Sequence, residues 1–563
     1  MDTRRLVLFV IFSFSIMMLW DAWQQKNRPV VPVQQSSTQQ VTEQGTQITA
    51  AKGSATAANA VVDGVFKLEQ GQRVKVVTDL FTAEIDSVGA DLRRLTLNKH
   101  RAEDVKNGNF VLMDDAQKPM TYVAQTGLMG AGLPNHKSLF SSTASSYVLA
   151  DGAVSQQVRL SWQGSAEASD IKVDKIYTFH RGSYLIDVTY EITNGSAAPV
   201  TSSIYYQIVH DSESNQGSAM MPTFTGGAFY TDVDKFTKIK FSAMADESLS
   251  KTSKDGWIGL VQHYFASAWI PNKGVTREFY TKELSDNLFS VGVVTPSPSI
   301  AAGAKVEVGA KLFAGPQTHA DLKAAAPGLE YAVDYGWLTV VAEPLFWVLS
   351  KIYALVHNWG IAIILLTVLI KAAFFPLSAA SYKSMAQMRE LAPRLQSMKE
   401  KFGDDKQKMQ QAMMEMYRTE KINPMGGCLP ILIQIPVFIA LYWVLLGSVE
   451  LRHAPFFGWI QDLSAPDTLF GTLPWLNMPI GLLPILMGAT MIIQTSLNPA
   501  PTDPIQAKVM KVMPIVFSIF FFFFPAGLVL YWLVNNILSI WQQWYVNKTI
   551  HAAALAKKGN VKK

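Results

Sequence analysis

Apolar runs of helix length lie at the start of the chain and again after residue 350. The first, Met1–Trp23, follows Arg4 and Arg5 and is typical either of a cleavable signal peptide or of an uncleaved span. It ends in Trp20 and Trp23 instead of a small-residue cleavage pattern, and tryptophan favours the membrane interface. We therefore predict an uncleaved first span over residues 1–23, with its N-terminus inside.

Between this span and residue 327 the pattern of polar and apolar positions changes twice. Residues 24–60 are rich in Gln, Thr, Ser and Ala, a composition that buries too little surface to fold, and we predict a flexible linker. Over residues 61–327, apolar and polar positions alternate with period two, most clearly in Tyr184–Ile192, and turn pairs such as Asn194-Gly195 separate the runs. This pattern predicts a large all-β sandwich domain.

The rest of the chain alternates apolar runs with charged connections. Residues 328–353 combine aromatic side chains with scattered charge, which predicts a helix lying in the interface. The last run, Val512–Tyr545, is too long for one crossing of a core about 30 Å thick, and Pro525 and Gly527 divide it. The further predicted segments are the second span 354–377, a cytoplasmic helical hairpin 378–427, the third span 428–447, an outer loop 448–477, the fourth span 478–497, an inner loop 498–511, the fifth span 512–524, the sixth span 528–545 and a basic tail 546–563.

Loop charge sets the orientation of these six spans. Residues 382–423 contain nine Lys or Arg, whereas residues 450–475 contain only Arg452. Cytoplasmic loops carry the excess of positive charge, so the first loop lies inside and the second outside. Both termini are then cytoplasmic and the β domain is outside.

Composition narrows the function classes. The 563 residues are 49% hydrophobic and 17% charged, with a mean hydropathy of +0.14, which lies between a soluble protein and a fully embedded transporter. The net charge of +5 does not favour nucleic acid, and Cys428, the single cysteine, allows no intramolecular disulfide. His180, His210 and His263 stand far apart in sequence, and no metal-binding or nucleophile motif occurs. We therefore predict no catalytic residue, metal or cofactor, and a protein that is not an enzyme.

One lysine, Lys371, lies inside the apolar run Gly360–Ser381. A charge at the centre of a span costs about 2.5–3.5 kcal/mol on insertion scales, so the ammonium group either snorkels to the inner interface or meets polar groups and water. Thr367 and Ser378 share its helix face at helical spacing. Other spans add polar residues: Gln434, Thr490, Gln494, Asn535, Ser539 and Gln542. They predict either a water-filled cavity open to the inside or polar contacts that pair the helices.

The cytoplasmic loop predicts two amphipathic helices, Ala380–Lys401 and Asp405–Lys421. Pro393 should kink the first, and Asp405 is a candidate N-cap for the second. Many methionines give this hairpin an adaptable surface, which serves either to hold the two helices together or to receive a partner.

Three motifs resemble the YidC family of membrane-protein insertases of Gram-negative bacteria: His357–Gly360, Asn423–Pro430 and Phe524–Tyr531. The resemblance covers essentially the whole chain. It implies a mixed fold, with a periplasmic β-supersandwich and a five-helix core in the inner membrane. That core encloses a hydrophilic groove, open to cytoplasm and lipid but closed to the outside. It also implies an insertase and chaperone for nascent membrane proteins, working alone or beside the Sec translocon without chemical catalysis.

The resemblance also implies roles for individual residues. Lys371 takes the place of the groove cation, which is usually arginine, and Thr367, Ser378 and Gln434 match groove-lining positions, to which the polar pattern adds Asn535 and Ser539. An aromatic pair near the substrate slide is matched by Tyr531 and Trp532. The implied partners are the lipid bilayer, the ribosome and the signal recognition particle receptor, reached through the hairpin and the basic tail, and a monomer is expected to suffice.

Two other function classes remain as alternatives. A solute transporter or channel needs a path across both membrane faces, usually built from inverted repeats, and no convincing repeat occurs in the chain. An intramembrane enzyme needs a nucleophile or metal set, and none is recognisable. Ion flux would indicate the first class and product formation the second.

Overall fold

The computed structural model describes residues 68–102, 108–115, 121–164, 168, 170–212, 223–285, 287–333, 335–402, 405–420, 429–476, 478–498 and 504–560. The predicted first span 1–23, the linker 24–60 and most of the Asn423–Pro430 motif lie outside these residues.

Two large sheets make up the first part of the described chain. The strands are β1 Arg73–Val77, β2 Phe81–Asp86, β3 Leu92–Arg101, β4 Asn109–Met113, β5 Tyr122–Met129, β6 Ser141–Ser142, β7 Ser146–Val148, β8 Ser155–Gln163, β9 Ile171–His180, β10 Leu185–Asn194, β11 Ser203–Asp211, β12 Gly226–Thr231, β13 Lys235–Ile239, β14 Ser250–Ser253, β15 Trp257–Val261, β16 Phe265–Pro271, β17 Arg277–Ser285, β18 Leu288–Pro296 and β19 Lys305–Pro316. One sheet has the order β14-β17-β18-β11-β5-β3-β2-β1-β7, with β4 beside β3, and the other the order β13-β12-β15-β16-β19-β10-β9-β8-β6.

Alternating burial explains why these segments form a sandwich. In β10, Ile186, Val188, Tyr190 and Ile192 are buried, while the residues between them are partly exposed. Successive side chains of a strand point to opposite faces, so each sheet presents one apolar face to the other. The predicted all-β domain is confirmed, and we call residues 68–316 the β domain.

Helices dominate the chain after the β domain. They are α1 Phe241–Asp246, within the β domain, α2 His319–Ala325, α3 Thr339–Val356, α4 Trp359–Ala373, α5 Phe375–Glu390, α6 Ala392–Phe402, α7 Lys406–Thr419, α8 Leu429–Gly447, α9 Leu482–Ser496, α10 Pro504–Phe521 and α11 Ala526–Asn560. Short 3-10 turns cover Leu329–Ala332, Gly336–Leu338 and Val449–Leu451, and a two-stranded ribbon pairs β20 Thr472–Leu473 with β21 Met478–Pro479. We call residues 329–560 the helical part.

Helix ends around Lys371 differ from the prediction. The segment 354–377 is not one helix: α3 ends at Val356, and α4 begins after Asn358, whose side chain accepts the Ile361 N–H at 3.0 Å. α4 then stops at Ala373 and meets α5 at a bend of 66°. Pro376, in the first turn of α5, has no N–H to donate to the Ala372 carbonyl oxygen four residues earlier, and in a continuous helix its ring would clash with that carbonyl, which explains the break.

Three other helix ends bear on predicted segments. The kink predicted at Pro393 is a break at Leu391, between α5 and α6. α10 begins at Pro504, eight residues before the predicted start, and α11 continues through most of the predicted tail as one helix to Asn560. The division of the last apolar run at Pro525 agrees with the sequence pattern.

Length and hydropathy single out one helix of the described residues. α3 has 18 residues and a mean hydropathy of 1.5, long and apolar enough to cross a membrane, and a second candidate arises if α4 and α5 are joined across their bend. α9 and the Gln434–Gly447 part of α8 are apolar but shorter. The interfacial position of residues 328–353 and the count of six spans therefore stay predictions.

A chain of buried charges crosses the β domain. Asp91, Arg93 and Lys175 are all buried, with the Lys175 ammonium 3.5 Å from Asp91 and 3.0 Å from the Gly89 carbonyl oxygen, which accepts its hydrogen bond. Arg93 lies 3.5 Å from Asp91 and 3.8 Å from Asp115. Burial lowers the pKa of Lys175 to about 8 although Asp91 opposes the shift. Each charge in this set depends on its neighbours, because a lone buried ion is costly.

The β domain is fastened to the helical part through Arg452, just after α8. Its guanidinium donates to the Arg101 carbonyl oxygen at 2.7 Å and lies 5.3 Å from the Phe110 ring and 5.6 Å from the Phe265 ring, within cation–π range. Beside it, the His263 Nε2 is 2.8 Å from the Leu446 carbonyl oxygen at the end of α8. We call these contacts the joint.

We expect the joint to loosen in acid. Burial lowers the pKa of His263 from 6.5 to about 4, and burial with nearby Arg452 lowers that of His100 to about 4. Freed from the joint, His263 would bind a proton more readily, so its contribution is complete above pH about 6.5 and is lost as pH falls through about 4. At about 1.4 kcal/mol per pKa unit, His263 alone contributes up to about 3 kcal/mol.

Hydrogen exchange of the full chain in detergent measures this effect. Amides of β16 and of residues 446–452 should exchange faster at pH 4.5 than at pH 7, after correction for intrinsic rates. His263→Gln, which keeps a donor but cannot charge, should reduce the difference, whereas His180→Gln, at a half-exposed site on the β domain, should not. Equal protection at both pH values would contradict the prediction.

Candidate functional site among the helices

Lys371 lies at the centre of a polar cluster between α4, α8 and α11. It is 8% exposed, and its ammonium donates to the Ser539 hydroxyl of α11 at 2.7 Å. Within the described ranges no carboxylate lies at ion-pair distance from this ammonium. The side chain therefore points into the helices, and its charge is solvated there by neutral dipoles.

α11 supplies one face of the cluster at helical spacing. The Ser539 hydroxyl donates to the Asn535 carbonyl oxygen at 2.7 Å, and its oxygen accepts from the Lys371 ammonium. The Asn535 side-chain oxygen accepts from the Gln434 amide of α8. Gln542, one turn further along α11, donates to the Lys371 carbonyl oxygen at 3.4 Å. Three helices are thus joined by polar contacts.

The break after α4 accounts for the contact with Gln542. The last four carbonyl groups of a helix lack partners within that helix and need others. Because α4 ends at Ala373, the Lys371 carbonyl is one of these groups, and Gln542 supplies a donor. The bend thus places both the backbone and the side chain of Lys371 within reach of α11.

A small cavity lies beside this cluster. Its volume is about 20 Å³, and its lining residues are Ile370, Lys371, Phe374, Leu377, Ser378, Gln434, Val437 and Asn535. A polar cavity of this size holds about one water molecule. The structure thus brings together Lys371, Ser378, Gln434 and Asn535, with Ser539 in contact through Lys371. The wider water-filled groove stays a prediction.

Thr367 does not line this cavity. It is buried, and its hydroxyl donates to the Ile363 carbonyl oxygen of its own helix at 2.7 Å. This back-bonding satisfies a hydroxyl without any partner on another helix. Its predicted place in the groove lining remains untested.

The aromatic pair of α11 packs against neighbouring helices. Tyr531 is buried with its ring centroid 6.3 Å from Phe438 of α8, and Trp532 lies edge-on to the same ring at 4.4 Å and 5.4 Å from Phe521. The Trp532 indole N–H is buried without a hydrogen-bond partner in the described part of the chain, and the Tyr531 hydroxyl is buried beside Gln434. The predicted contact of this pair with substrate stays a prediction.

α11 has a second polar face, which was not among the predicted site residues. Asn536 donates to the Thr490 hydroxyl of α9 at 3.3 Å, and Gln543 donates to the Leu497 carbonyl oxygen at 3.1 Å. Both are buried. Asn536 and Gln543 are seven residues apart, as are Asn535 and Gln542. A search for polar residues at helical spacing on every face of this helix would therefore find both pairs.

Among the described residues, no group of three or more His, Cys, Asp or Glu side chains is arranged to hold a metal ion. What the cluster offers is a buried positive charge and amide and hydroxyl dipoles inside an apolar bundle. Such a site attracts a polar or acidic segment and lowers its cost of entering the bundle.

Known proteins match the chain over its full length. A family model described as the YidC periplasmic domain matches residues 73–348, and one described as the 60Kd inner membrane protein matches residues 351–553. The membrane protein insertase YidC of Methylobacillus flagellatus is 62% identical, covering 100% of each chain, and that of Aromatoleum aromaticum is 51% identical, covering 98% of each. A solved structure described as an active YidC insertase with the first transmembrane domain resolved is 18% identical, with a TM-score of 0.39, and covers 88% of this chain and 99% of that chain.

Proposed function

This chain belongs to the YidC family of membrane protein insertases of the bacterial inner membrane, and we propose that the polar cluster around Lys371 is where it acts on nascent membrane proteins. It inserts them and helps them fold, and no bond is made or broken. The observation that carries this proposal is that the buried Lys371 ammonium donates to the Ser539 hydroxyl, within a polar network that joins three apolar helices.

The first step is entry of a polar segment from the cytoplasmic side. A substrate's hydrophilic outer segment cannot cross bare hydrocarbon, because each unpaired polar group there costs several kcal/mol. Lys371, Gln434 and Asn535 supply a donor-rich surface within the bundle and keep water beside it. An acidic segment is further attracted by the Lys371 ammonium, which has no resident carboxylate partner within the described residues.

The second step is release to both sides. The outer segment moves outward, while the substrate's apolar helix partitions into lipid along the bundle, driven by the transfer of apolar surface out of water. α4 and α9 each have 15 residues, so each is about 22 Å long against a hydrocarbon core of about 30 Å. Short helices favour local thinning of the bilayer, which shortens the remaining path. α10, which extends back to Pro504, has 18 residues and is longer than either of these helices.

The proposed orientation has six spans, cytoplasmic termini and a periplasmic β domain, and its support is the charge difference between the two loops. The cytoplasmic hairpin of α5, α6 and α7 is the proposed contact for the ribosome and the signal recognition particle receptor. Arg389 of this hairpin donates to the Leu497 carbonyl oxygen at 2.6 Å, which ties its base to the end of α9. The Sec translocon is the proposed neighbour during cooperative insertion, and one copy of the chain suffices for unaided insertion.

Reconstitution tests this function directly. The purified full chain in liposomes should protect a ribosome-released substrate with an acidic outer segment from external protease, whereas empty liposomes should not. Ion flux without any protected substrate would favour a channel instead, and release of a chemically altered substrate would favour an enzyme.

Ser539→Ala should weaken insertion several-fold while the chain stays folded. The substitution removes the hydroxyl that accepts from Lys371, and leaving a buried charged donor unpaired costs about 1–3 kcal/mol. Protease protection of substrate in liposomes measures the effect. Ser518→Ala is a matched control, since that hydroxyl donates to the Pro484 carbonyl oxygen away from Lys371. Full insertion by Ser539→Ala would show that this hydrogen bond does not position the lysine.

A further inference from the structure

An open cleft lies where the β domain meets the start of α3. Its volume is about 330 Å³, and its lining residues are Lys235, Phe236, Glu330, Tyr331, Val333, Thr339 and Glu343. They come from the β12–β13 hairpin, the 3-10 turn after α2 and the first turns of α3. The cleft is separate from the Lys371 cluster and is within the size range of small-molecule sites.

The cleft contains both signs of charge. Lys235 provides an exposed ammonium, and Glu330 and Glu343 provide carboxylates. One carboxylate oxygen of Glu330, Oε2, is buried without a hydrogen-bond partner among the described residues. Lys235 has a positive φ of 58° and ends the short turn of the β12–β13 hairpin, where the left-handed conformation is common. A glutamate with one unpaired carboxylate oxygen and an exposed lysine therefore line the same cleft.

Exposed apolar side chains lie next to the cleft residues along the β12–β13 hairpin and α3. Val233, at the tip of the β12–β13 hairpin, is 88% exposed, and Val340, in the first turn of α3, is 84% exposed. Further along α3, Trp347 and Leu355 are exposed as well. Apolar side chains presented this fully are typical of surfaces that meet lipid. The rim of the cleft thus suits the acyl boundary of a membrane, while its interior is polar.

We propose that this cleft binds the head group of an aminophospholipid in the outer leaflet. Lys235 pairs with the phosphate, Glu330 and Glu343 accept hydrogen bonds from the primary ammonium, and Val233 and Val340 contact the acyl chains. The site rests on the proposed function in one respect, which is that the β domain is periplasmic, so that the interfacial helix predicted over residues 328–353 lies at the outer face of the membrane. It gives the β domain a lipid contact of its own, next to the helical part.

The arrangement selects a head group that carries both charges. A phosphatidylglycerol head group would meet Lys235, but it offers the two carboxylates only neutral hydroxyl donors and brings no positive charge to balance them. An ammonium group satisfies those carboxylates through charge-assisted hydrogen bonds, and the rings of Tyr331 and Phe236 add a favourable face for a cation. Because the carboxylates are partly exposed, each pair contributes modestly, and we expect a preference of about fivefold.

Native mass spectrometry of the full chain in detergent tests this site. The probe is an equimolar mixture of phosphatidylethanolamine and phosphatidylglycerol with matched acyl chains. The wild type should retain phosphatidylethanolamine about fivefold more than phosphatidylglycerol, and Glu330→Gln combined with Glu343→Gln should abolish that preference. Lys235→Gln should weaken retention of both lipids. Glu307→Gln, at an exposed carboxylate on β19, should behave as wild type.

Equal retention of the two lipids by wild type, or a preference that survives the double substitution, would overturn the proposal. Circular dichroism of each variant excludes loss of fold as the cause of a changed preference. Lipid retention is read without any substrate, so its failure is distinct from failure of insertion in liposomes. A wild type that inserts substrate but shows no lipid preference would refute the cleft proposal and leave the proposed function intact.

Discussion

Lys371→Ala should lower insertion of a substrate with an acidic outer segment by at least about tenfold, and Lys371→Arg should restore most of it. The alanine variant removes the one charge that the described helices place in the polar cluster. An acidic segment is then no longer attracted to the cluster, and water beside it no longer has a charged group to solvate. Arginine keeps the charge and adds donors in a planar fork, although its longer group must fit beside Ser539. Protease-protected substrate in liposomes, counted for each variant, measures the effect.

A matched lysine separates the role of position from that of net charge. Lys351→Ala removes an exposed lysine of α3, whose ammonium lies 5.9 Å from the Trp347 ring, and should insert as wild type. A neutral outer segment should depend less on Lys371 than an acidic one does. Full insertion of the acidic substrate by Lys371→Ala would reduce Lys371 to a hydrating residue and contradict the proposed attraction.

The second large effect concerns the β domain. Asp91→Ala should destabilise it by about 3–5 kcal/mol, because Lys175 and Arg93 would both keep buried charges without their shared carboxylate. Urea unfolding of the full chain in detergent, followed by the circular dichroism of the sheets, measures the change. Asp246→Ala, at an exposed position at the end of α1, should change stability by less than about 0.5 kcal/mol.

A paired substitution tests the cause of that loss. Asp91→Asn with Lys175→Met removes one negative and one positive charge together, so it should cost less than Asp91→Ala does. If Asp91→Ala costs less than about 1 kcal/mol, water or rearrangement solvates the two cations and the buried charges are not interdependent.

Much of the architecture is predictable because the signals are local. Period-two alternation identifies β10 from its own residues, and an apolar run with one lysine identifies the helix of Lys371. The polar residues brought together at the cavity share helix faces that a wheel of 3.6 residues per turn reveals. Pro376 could also have indicated the bend after Ala373, since proline cannot donate to the carbonyl four residues earlier in a helix. The family resemblance, carried by three motifs, is confirmed by the matching models and relatives.

Contacts between distant segments escape sequence reasoning. Nothing local indicates that Arg452 lies among the rings of Phe110 and Phe265, because those residues are more than 180 positions away. Lys175 is a different case, since it is in phase with Ile171 and Val173 and the alternation alone places it inside the sandwich. Its partner escapes sequence reasoning, because Asp91 lies in the turn before β3 of the other sheet and carries no sequence signal of pairing.

The length of α11 has a mechanical consequence. Its first turn is held by the loop before α9, where the Ala526 N–H donates to the Ala465 carbonyl oxygen at 2.8 Å and the Gly527 N–H to that of Leu463 at 2.9 Å. From these two hydrogen bonds, the 35 residues of α11 extend about 52 Å. A tilt of about 10° would move the far end by about 9 Å and Ser539 by about 3 Å. That displacement exceeds what the hydrogen bond to Lys371 tolerates. A tilt of α11 about its first turn would therefore separate Ser539 from the Lys371 ammonium and leave that ammonium without its hydroxyl partner.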